Sequence, residues 1–330
     1  MMNIYRPIIL IGWKGCDFML QIGVQTKNIV NDSNPEEGFQ LMKESGFTCG
    51  DFSLNSYLLN TSLYKFELND FFNKSDRELE DFFTPHKEGA KAAGITINQM
   101  HMPYPVYVPN GSKELNDYLL NNVAPKSMRI CKFMECPNIV VHGLKLARNL
   151  GSEEEEWKYT ERFLDSITPL AKEMKITICI ENIYSSIGGH IVEGPCSNAR
   201  KTVERIDRFN DKYGAEILGF CFDTGHANLL GIDFEDFITT LGSRLKVLHI
   251  HDNDGIGDLH QLPFTFTKNR ENKASTDWDG FIRGLKKIKY NKVLNFETAP
   301  VLSSFPEEMK ATVLKFIADI GKYFSKKIES

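Results

Sequence analysis

The chain has 330 residues, of which 42% are hydrophobic and 25% charged, and its formal net charge is −5 at pH 7. This composition is that of a globular protein with a large core. Its 39 basic and 44 acidic residues provide no basic field that would attract nucleic acid or an anionic membrane, and no apolar run reaches the ~18 residues of a membrane span. The seven cysteines are scattered without a CxxC pair, which indicates reduced thiols in a cytoplasmic protein.

The first residues contain a short apolar run, PIILIGW, which is followed at once by Lys14 and Asp17. A signal peptide would need a longer apolar core and a small-residue cleavage site. We therefore expect residues 1–18 to form an N-terminal extension and residues 19–330 to form a single domain.

Short β-rich runs alternate with amphipathic helical patterns along the whole domain. Strands are expected at 20–25, 47–53, 95–105, 137–143, 176–182, 216–226, 244–253 and 292–298. Helices are expected at 35–46, 75–94, 112–136, 152–175, 197–214, 233–242, 277–290 and 305–324. Alternation of this kind predicts an α/β protein with a parallel sheet covered by helices.

Eight such units predict a single closed (β/α)8 TIM barrel. The rival architecture is an open, doubly wound sheet, which would usually show a glycine-rich phosphate-binding turn after its first strand. The first strand is instead followed by TKNIVND, which has no glycine, and the barrel is therefore favoured.

Four local features carry weaker expectations. Pro85 is expected to kink or divide the helix at 75–94, and His86 beside it is expected at the surface. The segment 183–195 contains three glycines and is expected to be a loop, in which His190 could be structural or functional.

Four predicted strands end in residues that ligate metals, and these are Glu181, Asp223, His249 and Glu297. The active site of a parallel barrel lies at the carboxyl ends of its strands, so these side chains are expected to meet there. Carboxylates and imidazoles are ligands of Mn²⁺, Co²⁺, Mg²⁺ and Zn²⁺. We therefore predict a divalent-metal site with coordination positions left open for a substrate.

A second set of histidines and one aspartate lies at other strand ends or in the loop after the seventh strand. Its members are His101, His142, His226, His251, Asp258 and His260. Each residue taken singly has a structural alternative, since Asp223 could cap the turn that follows it and a lone glutamate could form an ion pair. The concentration of both sets at strand ends favours a functional site.

These residues lie in short motifs whose order resembles the xylose-isomerase-like TIM-barrel superfamily, which includes sugar phosphate isomerases and epimerases and the endonuclease IV (AP endonuclease 2) family. The resemblance covers about residues 19–325. The motifs are HMPYP (101–105), VVHG (140–143), IEN (180–182), FDTGHAN (222–228), HIHDN (249–253), DLHQLP (258–263) and NFET (295–298). The resemblance implies that Glu181, Asp223, His249 and Glu297 bind the metal, and that His226 binds the substrate or a further metal.

The resulting hypothesis is a divalent-metal-dependent isomerase or epimerase of a sugar, sugar phosphate or polyol. Glu181 and Glu297 would act as catalytic base and acid, moving a proton through an enediolate. The expected partner is a small carbohydrate, with neither nucleic acid nor membrane, and the chain could form a homo-oligomer.

Three alternatives stay open. An endonuclease IV-like zinc phosphodiesterase is suggested by the second set, which resembles that family's additional ligands. A metal-dependent dehydratase or lyase could use the same barrel. A degenerate, non-enzymatic barrel would require a missing ligand, and none of the four is missing.

Two departures bear on specificity. Ketose 3-epimerases carry an arginine six residues after the histidine of the seventh strand, where this chain has Gly255. The loop at 254–277 is unusually long, and its Lys268, Arg270 and Lys273 could meet a phosphate or carboxylate, although a solvated loop is favoured.

Overall fold

The computed structural model describes residues 19–146, 152–266 and 276–330. The predicted N-terminal extension at 1–18 lies outside these residues, as do Lys268, Arg270 and Lys273. The strands are β1 Ile22–Gln25, β2 Cys49–Ser53, β3 Thr96–His101, β4 Asn138–His142, β5 Thr177–Glu181, β6 Tyr184–Ile187, β7 His190–Glu193, β8 Leu218–Asp223, β9 Leu245–His249 and β10 Leu294–Phe296.

The helices cover the outside of the sheet and include several short ones that the sequence patterns did not resolve. They are α1 Pro35–Ser45, α2 Asn60–Leu63, α3 Asp76–Ala93, α4 Lys113–Tyr118, α5 Ala124–Phe133, α6 Glu153–Met174, α7 Ala199–Tyr213, α8 Thr224–Leu229, α9 Phe234–Leu241, α10 Trp278–Lys287, α11 Ala299–Ser303 and α12 Lys310–Glu329. A π-helical turn, Leu119–Val123, joins α4 to α5.

Eight strands form one parallel sheet in the order β10-β1-β2-β3-β4-β5-β8-β9. The two ends of this sheet meet, because Ile250 N donates to Asn295 O (2.9 Å) and Glu297 N donates to Ile250 O (3.1 Å). The predicted single (β/α)8 barrel is therefore confirmed.

Successive residues of a strand point to opposite faces, and the two faces of this sheet bury different clusters. Val140, Cys179, Cys221 and Val247 form a small cluster of their own. The residues that alternate with them, such as Ile139, belong to the large cluster shared with the helices. The small cluster therefore fills the barrel interior, and the large one lies between sheet and helices.

Pro85 does not divide helix α3, which runs from Asp76 to Ala93 with Pro85 on its exposed side. The prediction that His86 lies at the surface was wrong. His86 is only 1% exposed, because it lies on the inward face of α3 with Phe83, and its Nε2 lies 2.9 Å from Oδ1 of Asp32. The position of His86 on the inward face of the helix therefore determines its burial, although the neighbouring Pro85 is exposed.

The segment 183–195, expected to be a loop, contains an antiparallel hairpin of β6 and β7. Its turn is Gly188–Gly189, where both residues have positive φ (57° and 85°). A two-residue turn with both φ values positive matches the twist of a hairpin, and glycine adopts it without strain. The Gly-Gly pair was the signal for this hairpin.

The ends of three strands also differ from the prediction. β9 stops at His249, β3 stops at His101, ahead of Pro103 and Pro105, and β8 stops at Asp223. There the Asp223 carboxylate accepts a hydrogen bond from His226 N (2.6 Å) and begins α8. The six described cysteines are free and buried, in agreement with reduced thiols.

Candidate metal centre and its pocket

The strands place the ligand-type side chains by simple alternation. A residue two positions beyond an interior residue faces the interior again, one layer nearer the carboxyl end of the strand. Two positions beyond Val140, Cys179, Cys221 and Val247 stand His142, Glu181, Asp223 and His249. The apolar cluster inside the barrel is therefore the floor on which the polar site rests.

The four predicted metal ligands converge around one atom. Nδ1 of His249 lies 3.3 Å from Oε2 of Glu297, 3.4 Å from Oε2 of Glu181 and 3.9 Å from Oδ2 of Asp223. Glu181, Asp223 and His249 are each at most 1% exposed. The structure thus brings together all four residues.

This arrangement suits a divalent cation. Among the described residues, neither ring nitrogen of His249 nor Oε2 of Glu181 has a hydrogen-bond partner. Buried polar atoms are normally hydrogen-bonded. Nitrogen and oxygen atoms that converge without hydrogen bonds can instead be ligands of a metal ion. Ligand atoms of Asp223, His249 and Glu297 also lie within 4.8 Å of one another. The chemistry and spacing of these residues therefore fit a divalent metal ion.

His101 and His142 extend the site beside Glu181. Their Nε2 atoms lie 3.5 Å and 3.3 Å from Oε2 of Glu181 and 3.1 Å from each other. Nδ1 of His101 lies 2.7 Å from the carbonyl oxygen of Met102, which directs Nε2 toward the glutamate. These three residues could hold a cation as a group.

The other members of the second set surround Asp258. Its Oδ2 lies 3.4 Å from Nε2 of both His226 and His260, and its Oδ1 lies 4.0 Å from Nε2 of His251. His251 also reaches Oδ2 of Asp223 at 3.0 Å. All six residues of the second set therefore join the same mouth of the barrel as the four predicted ligands.

Sequence reasoning did not single out three residues that position these ligands. Asp51, in the middle of β2, places Oδ2 3.3 Å from Nε2 of His249, and Gln25 donates to Oε1 of Glu297 (2.8 Å). The Asn182 side chain pairs with the backbone of Asp223, accepting from its N–H (2.8 Å) and donating to its carbonyl (2.9 Å). The strand-end signal that identified the ligands was also available for Gln25, which ends β1, and for Asn182, which follows β5, but not for Asp51.

The electrostatics of the site favour the binding of a cation. Burial acts to raise the pKa of Glu181, but the imidazoles of His249 and His142 outweigh it and hold that pKa well below its usual range. Burial opposes a charged His260, yet contact with Asp258 and the Glu297 charge raise its pKa to about 9. Burial lowers the pKa of His142 to about 4. A metal ion bound to these groups would displace such protons from the imidazoles into solvent.

A cavity of about 410 Å³ opens onto these groups. Glu181 and Glu297 both line it, together with Lys145 and several aromatic residues. The aromatic side chains are Tyr64, Tyr104, Tyr107 and Tyr184. This volume, with aromatic walls around converging histidine and carboxylate side chains, is typical of a small-molecule site.

Among the residues that the structure describes, no helix combines the length and the apolarity that crossing a bilayer would require.

Comparisons with known proteins agree with the fold. The chain is 28% identical over 165 residues to the uncharacterized protein y4fM of Sinorhizobium fredii, covering 49% of this chain and 47% of that protein. It is 30% identical over 190 residues to the probable endonuclease 4 of Methanoculleus marisnigri, covering 52% and 61%. The matches thus span about half to three fifths of these relatives.

Solved structures resemble the protein over almost its whole length. The 3-keto-D-glucoside 4-epimerase YcjR of E. coli matches with a TM-score of 0.63 and 14% identity, over 92% of this chain and 99% of that one. The IolI protein with a bound zinc atom matches with a TM-score of 0.61 and 15% identity, over 94% and 98%. At such identities the likeness concerns the fold. The model of the xylose isomerase-like TIM barrel matches residues 39–318, and the chain belongs to that family.

Proposed function

We propose that the protein is a divalent-metal-dependent sugar isomerase or epimerase in which Glu181 and Glu297 move a proton. One observation carries this proposal. The two carboxylates approach the same nitrogen of His249, at 3.4 Å and 3.3 Å, and both line one cavity of about 410 Å³. A substrate in that cavity would lie between two groups able to accept and donate a proton.

Glu181, Asp223, His249 and Glu297 would hold the cation, which could be Mn²⁺, Co²⁺, Mg²⁺ or Zn²⁺. When bound, such a cation polarises a carbonyl group as a Lewis acid. The IolI structure of the same fold contains a bound zinc atom, which supports a metal in this protein.

The protein side chains would perform the proton transfer. One glutamate would take the proton from the carbon next to a carbonyl, and the other would return a proton to the neighbouring carbon or to the opposite face. The hydrogen bond from Gln25 to Oε1 of Glu297 (2.8 Å) holds that carboxylate in place and leaves Oε2 directed at the site. Tyr104 and Tyr184 form walls that would exclude water from the reacting carbon.

The test is exchange of a carbon-bound hydrogen for deuterium, followed by NMR with added Mn²⁺ or Co²⁺. A panel of ketoses, inososes and sugar phosphates covers the substrate classes. Glu181→Gln and Glu297→Gln are each expected to lower the exchange rate by about 10²- to 10⁴-fold. The exposed Glu88 on α3 gives the matched control, and Glu88→Gln should leave the rate unchanged. Absence of metal-dependent exchange with every compound would contradict the proposal.

A zinc phosphodiesterase is the second candidate. The contacts of Asp258 with His226 and His260, both at 3.4 Å, favour it, since they form a second ligand group near the first. The relative named probable endonuclease 4 points the same way. Against it, 39 basic and 44 acidic residues offer little phosphate neutralisation for DNA binding.

Metal content separates the two candidates. One ion per chain, measured by atomic emission after dialysis, would support the isomerase or epimerase. Three ions per chain, with cleavage at an abasic site in duplex DNA that stops with EDTA, would support the phosphodiesterase. Failure to bind duplex DNA at low salt would exclude the second candidate.

A further inference from the structure

A second cavity of about 530 Å³ lies beside the cavity that contains the two glutamates. Lys145 and Tyr184 line both cavities, so these two side chains form a common wall. The two spaces therefore adjoin at the edge of the proposed reaction site, and a substrate longer than the first cavity would have to pass these two side chains to reach the second.

The hairpin of β6 and β7 bounds the second cavity and is seated firmly on the barrel. Ile183 N donates to Pro195 O (2.9 Å), which closes the base of the hairpin. Gly143 at the end of β4 allows the close approach, since a Cβ there would lie 2.5 Å from Cβ of Pro195. The hairpin is thus a fixed wall next to the ligand strands β4 and β5.

The common wall is held by polar contacts. Nζ of Lys145 donates to the carbonyl oxygen of Tyr184 at 2.5 Å and lies 5.7 Å from the centroid of the Tyr184 ring. That ring lies 5.3 Å from the ring of His226. Tyr184 therefore presents an aromatic surface at the junction, where the apolar face of a sugar ring could pack.

The described lining of the second cavity suits hydroxyl groups better than phosphate. It includes the hydroxyl residues Ser185, Ser186 and Ser197 and the carboxylate residues Glu153, Glu156 and Glu193. Hydroxyls donate and accept hydrogen bonds, and carboxylates accept them, as a polyol requires. Lys145 is the one cationic residue among the described lining residues, and the nearby Glu156 offsets its positive charge with a negative one. An anion placed there would meet carboxylates of the same sign.

We propose that the second cavity is a subsite for a neutral sugar, so that the protein acts on a two-ring glycoside rather than on a sugar phosphate. The reacting ring would lie between Glu181 and Glu297, and the second ring would lie against the hairpin. This inference rests on the proposed function, because it assumes that the reacting ring occupies the first cavity.

The experiment measures binding by calorimetry with the full-length, metal-loaded protein. The probes are D-fructose, D-fructose 6-phosphate and three keto-disaccharides that join a second ring to fructose at different positions: palatinose, turanose and lactulose. At least one disaccharide is expected to bind tenfold or more tightly than fructose. Fructose 6-phosphate is expected to bind no tighter than fructose.

Substitutions in the hairpin test whether the second sugar ring binds in the second cavity. Ser185→Trp fills the second cavity and should remove the tenfold gain while leaving fructose affinity within twofold. Ile187, two positions further along β6 and therefore on the same face as Ser185, also lines this cavity and is exposed, so Ile187→Trp should act alike. His190 is exposed on the same hairpin and outside the lining of this cavity, so His190→Trp is the control and should keep the gain.

Three results would overturn the subsite: no disaccharide that binds more tightly than fructose, a gain that survives both tryptophan substitutions, or tighter binding of fructose 6-phosphate. Deuterium exchange on fructose, measured with the same protein, separates the two proposals. Exchange without any disaccharide gain overturns the subsite alone. Absence of both exchange and sugar binding overturns the proposed function as well.

Discussion

Nε2 of His249 lies 3.3 Å from Oδ2 of Asp51, although the two residues belong to strands that are not neighbours in the sheet. Oδ2 of Asp51 also accepts a hydrogen bond from Nδ2 of Asn295 (3.2 Å). Both Asp51 and His249 are fully buried. A carboxylate behind an imidazole fixes the ring orientation and increases the basicity of the nitrogen that faces the metal. Asp51 therefore positions His249 from across the barrel.

Asp51→Asn is expected to weaken the binding of Zn²⁺ or Mn²⁺ by about 10- to 100-fold, as measured by calorimetry, because the imidazole loses its charged partner. Asp252, fully buried and paired with Asn253 N and Thr276, provides the control. Asp252→Asn should keep metal affinity within about threefold of the unmodified protein. Unchanged affinity in Asp51→Asn would show that Asp51 does not position His249.

The contact between Asp51 and His249 shows where prediction from the sequence reached its limit. Alternation along strands and the strand-end rule for barrels led to the (β/α)8 fold and to Glu181, Asp223, His249 and Glu297, because both arguments use local patterns. Asp51 stands 198 residues before His249 in the numbering, and their contact depends on barrel closure. No local pattern encodes that distance.

Other discrepancies had local causes. His86 was expected at the surface because Pro85 adjoins it, yet its spacing of three residues from Phe83 already placed both on one helix face. The Gly-Gly turn of the β6–β7 hairpin was read as a loop signal alone. The cytoplasmic location and the homo-oligomer stay predictions, as does the N-terminal extension.

Metal removal should destabilise the protein, because Nδ1 of His249 and Oε2 of Glu181, which face the candidate site, have no hydrogen-bond partner among the described residues. An ion present at 100 times its Kd would add about 2.7 kcal/mol to the free energy of unfolding. We expect the Tm, followed by circular dichroism, to fall after dialysis against EDTA and to return with Zn²⁺ or Mn²⁺. A Tm insensitive to both treatments would argue against a metal in this site.

Gly225 is required beside His251. A Cβ on Gly225 would lie 1.9 Å from Cε1 of His251, so Gly225→Ala must displace the ring that contacts Asp223 at 3.0 Å. We expect a loss of stability of about 1–3 kcal/mol, together with weaker metal binding. Gly231 has open space around it but a φ of +63°, so Gly231→Ala should cost about 1 kcal/mol with metal affinity intact. Equal metal affinity in both variants would contradict the prediction.

Asn182 contributes stability through its two hydrogen bonds with the Asp223 backbone, at 2.8 Å and 2.9 Å. Asn182→Ala leaves a buried N–H and a buried carbonyl without these partners, which should lower the free energy of unfolding by about 2 kcal/mol or more. Gln40 forms an exposed hydrogen bond with Glu44 (2.8 Å), and Gln40→Ala should change stability by less than about 0.5 kcal/mol. Urea titrations measure both, and similar small losses would disprove the role of Asn182.

His86 should make stability depend on pH. Burial lowers the pKa of His86 below its usual range, and the nearby Asp32 only partly opposes this effect. The unfolded chain, with a histidine pKa near ~6.5, therefore binds the proton more readily than the folded protein. The stabilisation from neutral His86 is present above that pH and is lost as the pH falls through it.

The comparison of the unmodified protein with His86→Gln isolates this contribution. The difference in their urea midpoints should be larger at pH 8 than at pH 5.5, because the glutamine does not titrate. A difference that stays constant or grows on acidification would show that the folded protein does not disfavour the charged form of His86.

The candidate metal site is completed only when the last strand of the chain has been synthesised and the barrel closes. Glu297 follows β10, the strand that pairs with β1 and meets β9 through Ile250. The other seven barrel strands leave the ribosome earlier, carrying Glu181, Asp223 and His249 without their fourth companion. The complete ligand set and the closed barrel therefore come into being in the same event, and a nascent chain that ends before β10 cannot hold an ion in all four ligands.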